Sequence, residues 1–261
     1  DDTVVTAGWI EQAIRHFRDP AIAAVCPLVL QGQPEQSDDP RIDSMGDHYF
    51  LVGFARKNGH GRRLGPSAPT GRDVFGANGC ASFFRARVLR ELGGLPESFG
   101  AYFEDVDLSW KLRRAGFRVR FEPRSVVFHL GGASHGRPRG DLLRQQSRNE
   151  EWVFWRNTPD PLLLACLPGH ALMLVGKACL RAREGQFRAW WRGRLDAWRS
   201  MPDVIAHRRR MRDRFLSIRR AKPSIPSSGN SVNDGDRGDE SACGHHHGVP
   251  VGLGDHVPCR R

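Results

Sequence analysis

The segment AIAAVCPLVL, residues 21–30, most constrains the fold of this chain, because it carries no charged side chain. A continuous apolar run without alternation is typical of a strand that is buried on both faces of its sheet. The preceding residues predict a helix that Thr6 caps and Pro20 stops, with apolar positions at Trp9, Ile10, Ala13, Ile14 and Phe17. A buried strand that follows an amphipathic helix is therefore expected near the start of the chain.

Apolar patterns and turn residues place further elements in the first 150 residues. They predict strands over 48–56, 80–85, 117–123 and 125–130, and helices over 85–92, 105–116 and around 149–157. Gly93 and Gly116 follow two of these helices, at the position where a left-handed residue commonly ends a helix. Segments rich in Gly, Pro, Asp or Gln predict loops over 31–47, 57–72 and 131–140.

The net charge of +11 is concentrated in one part of the chain. Residues 151–221 contain 15 Lys or Arg against 6 Asp or Glu, whereas residues 222–261 contain 4 against 5. A local basic segment indicates contact with anionic lipid or nucleic acid and says little about the body at 1–150. Gly, Ser, Pro and Asp dominate residues 222–261, which are expected to form a disordered tail.

The segment PLLLACLPGHALMLVGKACL, residues 161–180, is about long enough to span a bilayer. Pro168, Gly169, His170 and Lys177 interrupt it, so a spanning helix is not favoured. The helices that follow mix Trp, Leu and Ile with many Arg, a composition typical of a helix lying in the headgroup interface. The alternative is a solvated helical hairpin packed on the body. We expect peripheral membrane contact.

The stretch YFEDVDLSW, residues 102–110, places three carboxylates within four positions and flanks them with aromatic rings. Glu104 and Asp105 precede or begin a helix, where they could serve only as N-terminal charges. The rings favour a second interpretation, because desolvation raises the pKa of a carboxyl group toward that of a general base. Asp107 is interpreted as a charge in the first helical turn.

Two more features can carry chemistry. His129 ends the apolar strand SVVFHL and opens into a Gly-rich loop, where it is either structural or placed to reach a ligand. Asp1 and Asp2 precede a β-branched run, where adjacent acids are either caps or oxygen ligands of a hard cation that holds a diphosphate.

The cysteines and the start of the chain suggest its setting. The six cysteines form no CxxC pair, which is typical of a reducing compartment: Cys26, Cys80, Cys166, Cys179, Cys243 and Cys259. No signal peptide pattern is visible, but the chain begins without Met, so we expect an N-terminal truncation.

Three segments together resemble a known family: DDTVVTAGWIEQAI, GANGCASFFRARVLRELGGLPESF and AYFEDVDLSWKLRRAGFRVRFEPRSVVFHLGGAS. The chain resembles the second half of a family 2 glycosyltransferase, of the bacterial rhamnosyltransferase-like group, from Asp1 to about Met211. The resemblance implies an α/β fold of the GT-A, nucleotide-diphospho-sugar transferase type, truncated at its N-terminus. Residues 1–150 are then the C-terminal portion of the catalytic domain, followed by the basic helical segment 151–221 and the tail 222–261.

The resemblance also implies roles for individual residues. Asp105 matches the catalytic base, with Glu104 as the acid that precedes it. Asp2 matches the last acid of the DxD motif, which binds Mg²⁺ or Mn²⁺, and His129 matches the histidine that completes the metal site. Residues that would contact the donor or acceptor are Gly76, Ala77, Asn78, Gly79 and Trp110. Arg137 and Arg148 suit the donor phosphates by charge alone, or are surface charges.

We therefore expect a metal-dependent glycosyltransferase that inverts the sugar of a nucleotide-sugar donor. Its acceptor would be a growing glycan or a lipid-linked acceptor in the synthesis of cell wall polysaccharide, at the cytoplasmic face of the cell membrane. One alternative is an anionic-surface or nucleic-acid binding module built on residues 177–220. It is disfavoured because residues 1–150 carry no nucleic-acid motif, so we expect no nucleic-acid partner. A second alternative is an inactive truncated remnant.

Overall fold

The fold was analysed in a computed structural model that describes residues 2–34, 40–65, 69–130 and 140–221. The predicted tail at 222–261 and Arg137 lie outside the described residues. The strands are β1 (Thr3–Val5), β2 (Ile22–Gln31), β3 (Ile42–Ser44), β4 (Asp47–Phe50), β5 (Phe54–Lys57), β6 (Arg72–Val74), β7 (Phe83–Phe84) and β8 (Arg118–His129). The helices are α1 (Trp9–Ile14), α2 (Ala86–Glu91), α3 (Glu104–Arg114), α4 (Gly140–Asn157), α5 (Asp160–Arg183), α6 (Phe187–Arg199) and α7 (Met201–Ala221).

A mixed six-stranded sheet is built around the parallel pair β2 and β8. β1 and β6 pair antiparallel with β8, whereas β3 and β7 pair antiparallel with β2. β2 lies inside this sheet, and all its residues from Ile22 to Leu30 are buried. The buried strand predicted from residues 21–30 is therefore confirmed.

The hydrophobic core lies between this sheet and the helices. From β2 it includes Ala24, Cys26 and Leu28, which pack with side chains of α2, α3 and β8. Leu108 and Leu112, one turn apart on α3, are fully or almost fully buried. Their spacing explains the helix, since residues four apart share one helical face and bury it together.

Several predicted boundaries are wrong, each for a local reason. The segment 48–56 is not one strand but the hairpin β4–β5, which turns at Gly53 with φ +96°. The two strands predicted over 117–130 are one strand, β8, with a register shift opposite Pro27. Proline lacks the N–H that a regular ladder needs, so a bulge keeps the strand continuous there.

Two other expectations at the start of the chain also fail. The hydroxyl of Thr6 does not cap α1, because it donates to the carbonyl of Val126 on β8 at 2.9 Å. Gly8, in the left-handed region at φ +76°, is the N-cap residue instead. The predicted loop over 31–47 contains β3, which pairs with β2.

The basic segment forms three helices, α5, α6 and α7, after the long helix α4. α4 crosses the predicted boundary at residue 150 and packs against both α3 and α6. α5 continues through Pro168, which was predicted to interrupt the segment 161–180. By length and mean hydropathy, α5 is the one helix of the described residues that could cross a bilayer.

Candidate active site

Asp2 and His129 meet because β1 pairs antiparallel with the end of β8. Thr3 lies opposite His129, and the amide of Leu130 donates to the carbonyl of Asp2 at 2.7 Å. This register brings Nε2 of His129 to 3.1 Å from Oδ2 of Asp2. The structure thus brings together two of the predicted metal ligands, although 126 residues separate them in sequence.

Asp43 contacts the other nitrogen of the same imidazole ring and was missed by the sequence interpretation. Its Oδ2 lies 3.3 Å from Nδ1 of His129 and 2.8 Å from Nζ of Lys57. Burial alone would raise the pKa of Asp43, but the hydrogen bond and charge of Lys57 hold it below its ordinary value. Asp43 is therefore ionised at neutral pH and can orient the ring of His129.

These residues suit a divalent cation only in part. Asp2 offers a carboxylate and His129 an imidazole, both of which are ligands of Mn²⁺ and similar cations. Asp43 lies on the opposite side of the ring, in the position of an outer partner that fixes the tautomer. Within the described ranges, no three His, Cys, Asp or Glu side chains converge on one metal position. Asp1 lies outside those ranges.

Asp105 lies in the first turn of α3 and is held by main-chain donors. The amide of Gly79 donates to its Oδ2, and the amide of Val106 to its Oδ1, both at 2.8 Å. Burial raises the pKa of Asp105, against the lowering effect of these hydrogen bonds. Across the described residues, no Lys or Arg forms an ion pair with this carboxylate, so it is free to accept a proton.

Asp47, at the start of β4, is a second buried acid near Asp105. Burial, followed by the charge of Asp105, raises the pKa of Asp47 to about 8. Two close carboxylates in a desolvated site do not both ionise easily, so Asp47 is mainly protonated at neutral pH. Lys57 lowers the pKa of both groups. Asp47 was missed because it lies at the end of the segment 31–47, which was predicted to be a loop and carries no apolar periodicity.

The predicted loop Gly76-Ala77-Asn78-Gly79 lies against α3, beside Asp105. A Cβ at Gly76 would lie 2.6 Å from Oγ of Ser109, so only glycine allows this approach. Asn78 is 3% exposed, and neither polar atom of its side chain has a hydrogen-bond partner in the described part of the chain. A buried amide without a partner is available to a substrate hydroxyl or phosphate.

Glu104 and Trp110 occupy different surroundings on α3. Burial raises the pKa of Glu104, and its Oε2 has no hydrogen-bond partner among the described residues. The ring of Trp110 is 7% exposed and packs edge-on against Tyr49 and Phe75, each at a centroid distance of 5.2 Å. Trp110 is thus a core residue, and its predicted contact with substrate stays a prediction.

The loop that leads into Asp105 has an unusual backbone, which α4 stabilises. Tyr102 and Phe103 both adopt φ +70°, a left-handed conformation that costs free energy for residues with a Cβ. The buried side chain of Asn149 donates to the carbonyls of Phe99, Ala101 and Tyr102 at 2.8, 3.0 and 2.8 Å. These hydrogen bonds fix the strained loop, and with it the start of α3.

Arg148 also serves this loop in the structure. Its Nη2 donates to the carbonyl of Ser98 at 2.9 Å, and its guanidinium lies 4.3 Å from the ring centre of Trp152. Burial lowers the pKa of Arg148. The predicted contact of Arg148 with donor phosphates therefore competes with contacts inside the protein, and it stays a prediction.

Comparison with known proteins identifies the family to which this arrangement belongs. Residues 1–150 match the model of the family described as Glycosyl transferase family group 2. The chain belongs to that family. The match contains every residue of the site described above, and it confirms the predicted family and, with the mixed sheet and flanking helices, the GT-A-type α/β fold class.

Curated relatives match about half of the chain. Pre-mycofactocin glycosyltransferase of Mycobacterium tuberculosis is 30% identical over 128 residues, which are 49% of this chain and 25% of that protein. O-antigen chain rhamnosyltransferase RfbN of Salmonella typhimurium is 28% identical over 130 residues, 49% of this chain and 38% of that protein. The matched region therefore spans about a quarter to two fifths of these relatives.

One solved structure among the matches is a crystal structure of GalNAc-T7 with UDP, GalNAc and Mn²⁺. It aligns at a TM-score of 0.39 with 14% sequence identity, and it covers 59% of this chain and 32% of the other. The family of this chain is therefore assigned from the match of its sequence to the family model, and its site from its own residues.

Proposed function

We propose that this family member transfers a sugar from a nucleotide-sugar donor to a hydroxyl group of a glycan or lipid-linked acceptor, with inversion at the anomeric carbon. Cell-surface polysaccharide synthesis is the process in which such a transfer would serve. The observation that carries the proposal is the carboxylate of Asp105, which is half-buried, held by two main-chain amides and free of any ion pair in the described ranges.

In this proposal Asp105 acts as the general base. Direct displacement at the anomeric carbon requires removal of the proton from the attacking acceptor hydroxyl. The raised pKa of Asp105 improves its match to that task, while protonated Asp47 prevents a second charge from competing. Glu104, which precedes Asp105, and Asn78, which precedes the Gly79 that binds Asp105, have polar side-chain atoms without hydrogen-bond partners among the described residues. These atoms can bind the sugar hydroxyls.

Asp2 and His129 would hold the Mg²⁺ or Mn²⁺ ion of the donor diphosphate. When bound, the cation neutralises the charge that develops on the departing diphosphate. Asp43 would keep Nδ1 of His129 protonated, so that the lone pair of Nε2 faces the cation beside Asp2. The site thus divides its acids between cation binding and proton transfer.

The surface of α5 supports a peripheral contact with the inner face of the cell membrane. Its polar residues His170 and Lys177 face the protein, where they contact Glu151 and Glu150. Its large apolar residues face outward, with Leu164 76% and Leu172 74% exposed. This arrangement is the reverse of a water-soluble amphipathic helix, and a lipid surface would cover the outward face.

The test of the proposed activity is the substitution Asp105→Asn in the full-length protein. The amide cannot accept the acceptor proton, so we expect sugar transfer to fall by about 10²–10⁴-fold. Binding of the nucleotide-sugar donor, measured by calorimetry, should persist. Asp141→Asn is the matched control, because Asp141 is an exposed acid in the first turn of α4. Full activity of Asp105→Asn would exclude Asp105 as the base.

A further inference from the structure

A cavity of about 360 Å³ lies between α3, α4 and α7. We call it the basic cleft, after five residues that line it: Lys111, Arg156, His207, Arg210 and Arg214. No acidic side chain among the described residues lines the cleft. Its residues are separate from the proposed base and cation site, so its function has to be argued independently.

Two cations in the cleft are buried and share one carboxylate. Lys111 is 3% exposed and Arg156 is 8% exposed. Nζ of Lys111 lies 2.8 Å from Oδ2 of Asp107, and Nε of Arg156 lies 3.5 Å from its Oδ1. Burial alone would raise the pKa of Asp107, but Arg156 and Lys111 hold it below its ordinary value, so Asp107 is ionised. One negative charge therefore faces two buried positive charges.

The α7 side of the cleft adds positive charge that no acidic side chain of the described residues neutralises. Arg210 and Arg214 are four residues apart, so they share a helical face, and neither forms an ion pair within the described ranges. His207 contributes no charge, because burial, followed by the charge of Arg156, lowers its pKa to about 3. Burial and the charge of Arg210 also lower the pKa of Arg156. These cations repel one another.

A basic helix that contacts only water does not require buried cations beside it. Two cations of the cleft, Lys111 and Arg156, are buried, which is costly for a charge, and the exposed Arg210 and Arg214 line the same concave surface. Nε of Arg156 is buried and, apart from its ion pair with Asp107, has no hydrogen-bond partner among the described residues, while Nη2 lies 3.0 Å from Nδ1 of His207. Buried donors and excess positive charge in a cavity are typical of an anion site.

We propose that the basic cleft binds a phosphate ester. Guanidinium groups bind phosphate oxygens in pairs, and a phosphate would neutralise the charge that Asp107 leaves unbalanced. The volume leaves room for part of the group that carries the phosphate. The ligand is either an anionic lipid headgroup or a soluble phosphate compound, and the two sources share this chemistry. This inference does not depend on the proposed sugar transfer.

The test compares two double variants of the full chain that lose the same charge. Arg210→Gln with Arg214→Gln removes charge from the cleft, whereas Arg219→Gln with Arg220→Gln removes it from the end of the same helix, outside the cleft; all four arginines are exposed. One probe is inorganic phosphate, measured by calorimetry, and the other is vesicles with or without phosphatidylglycerol, measured by co-sedimentation. Thermal unfolding checks that both variants fold.

We expect the cleft variant to bind at least one probe about tenfold or more weakly than the unmodified chain, with the control within about twofold. Phosphate binding lost in the cleft variant identifies a soluble ligand, and vesicle binding lost in it identifies a headgroup. The proposal is overturned if the unmodified chain binds neither probe, or if both variants weaken binding equally. The proposal is also overturned if the chain binds single-stranded RNA and the two double variants weaken that binding equally.

If the cleft variant does not fold, Arg210→Lys with Arg214→Lys replaces it. Lysine keeps the charge but loses the paired guanidinium donors, so we expect phosphate binding to weaken by about threefold to tenfold. Unchanged binding of both probes by this lysine variant would then contradict the proposed paired contacts.

Discussion

The α/β part, residues 2–130, and the helical part, residues 140–221, differ in how they arrange charged and apolar side chains around their cores. In the first, β2 contributes Ala24 and Val25, which are fully buried. In the second, Arg194 is 1% exposed and pairs with Glu151 at 2.5 Å and with Glu150, while Leu164 and Leu172 face outward. The helical part thus adds buried ion pairs to an apolar core of its own, which includes Val153 and Phe154, and leaves other apolar side chains exposed.

This difference shows how one chain can form both a polar site, in the α/β part, and an exposed apolar face, on α5. An apolar core needs no particular pairing, so the α/β part can place a few acids at strand and helix ends without disturbing its packing. Buried ion pairs are directional, so they fix α5 and α6 on α4 while leaving apolar side chains outside. Five predictions test this comparison, from the largest expected effect to the smallest.

The largest effect is expected from Arg194→Ala. The substitution leaves Glu150 and Glu151 with less positive charge in a buried site, so the free energy of unfolding should fall by about 3–5 kcal/mol. Urea unfolding would measure the loss. Arg192→Ala, at an exposed position of the same helix, should stay within about 0.5 kcal/mol of the unmodified protein. Equal losses in the two variants would show that the buried pairs do not stabilise this part.

Asp47 should make the α/β part less stable as the pH rises. Its pKa of about 8 in the folded state exceeds its ordinary value of 3.8, so the folded state binds more protons between these values and stability falls as pH rises through them. Asp47→Asn should remove this dependence, worth about 1.4 kcal/mol for each pKa unit. Urea unfolding at about pH 5 and pH 8 would measure it.

Asp43→Asn is the matched comparison with the opposite sign. The pKa of Asp43 is lowered in the folded state, so its contribution is present above the unfolded pKa and is lost as pH falls through the folded pKa. The asparagine variant should therefore be less stable than the unmodified protein at neutral pH. A loss of stability for both variants at pH 8 would contradict the raised pKa of Asp47.

Asn149 joins the two parts, so Asn149→Ala tests their coupling. Without its three hydrogen bonds the loop at 99–103 can relax from its left-handed residues and move Asp105. We expect kcat for sugar transfer to fall by up to about 100-fold with little change in KM. Gln146→Ala, on the same helix, is the control. A higher KM with unchanged kcat would assign Asn149 to substrate binding instead of to positioning Asp105.

The smallest effect on folding is expected from Leu164→Ser with Leu172→Ser. Both side chains are already exposed, so the free energy of unfolding in water should change by less than about 0.5 kcal/mol per site. Binding to phospholipid vesicles should be lost, because the apolar face of α5 would no longer enter the lipid. Ile10→Ser with Leu95→Ser alters exposed apolar residues of the α/β part and should leave vesicle binding intact. Vesicle binding that survives in the α5 variant would contradict the proposed membrane contact.

The sequence predicted the elements whose patterns are local. The apolar run at 21–30 became β2, and the apolar spacing and acids of 104–115 became α3, because burial periodicity and helix-end charge act over a few residues. The resemblance to family 2 also led to Asp2, His129 and Asp105. Asp43, Asp47 and Lys57 were missed, since β3, β4 and β5 are short strands in a segment that resembles a loop.

Tertiary structure alone decided how these residues combine. Only the pairing of β1 with β8 brings Asp2 to His129, and only the packing of α4 places Asn149 against the carbonyls before Asp105. Such contacts join residues that lie 47 or more positions apart, where no sequence period can encode them. The amino-acid sequence by itself determined which segments are strands and helices. The pairing of the strands and the packing of α4 determined which acids share a site and which cations have no acidic partner.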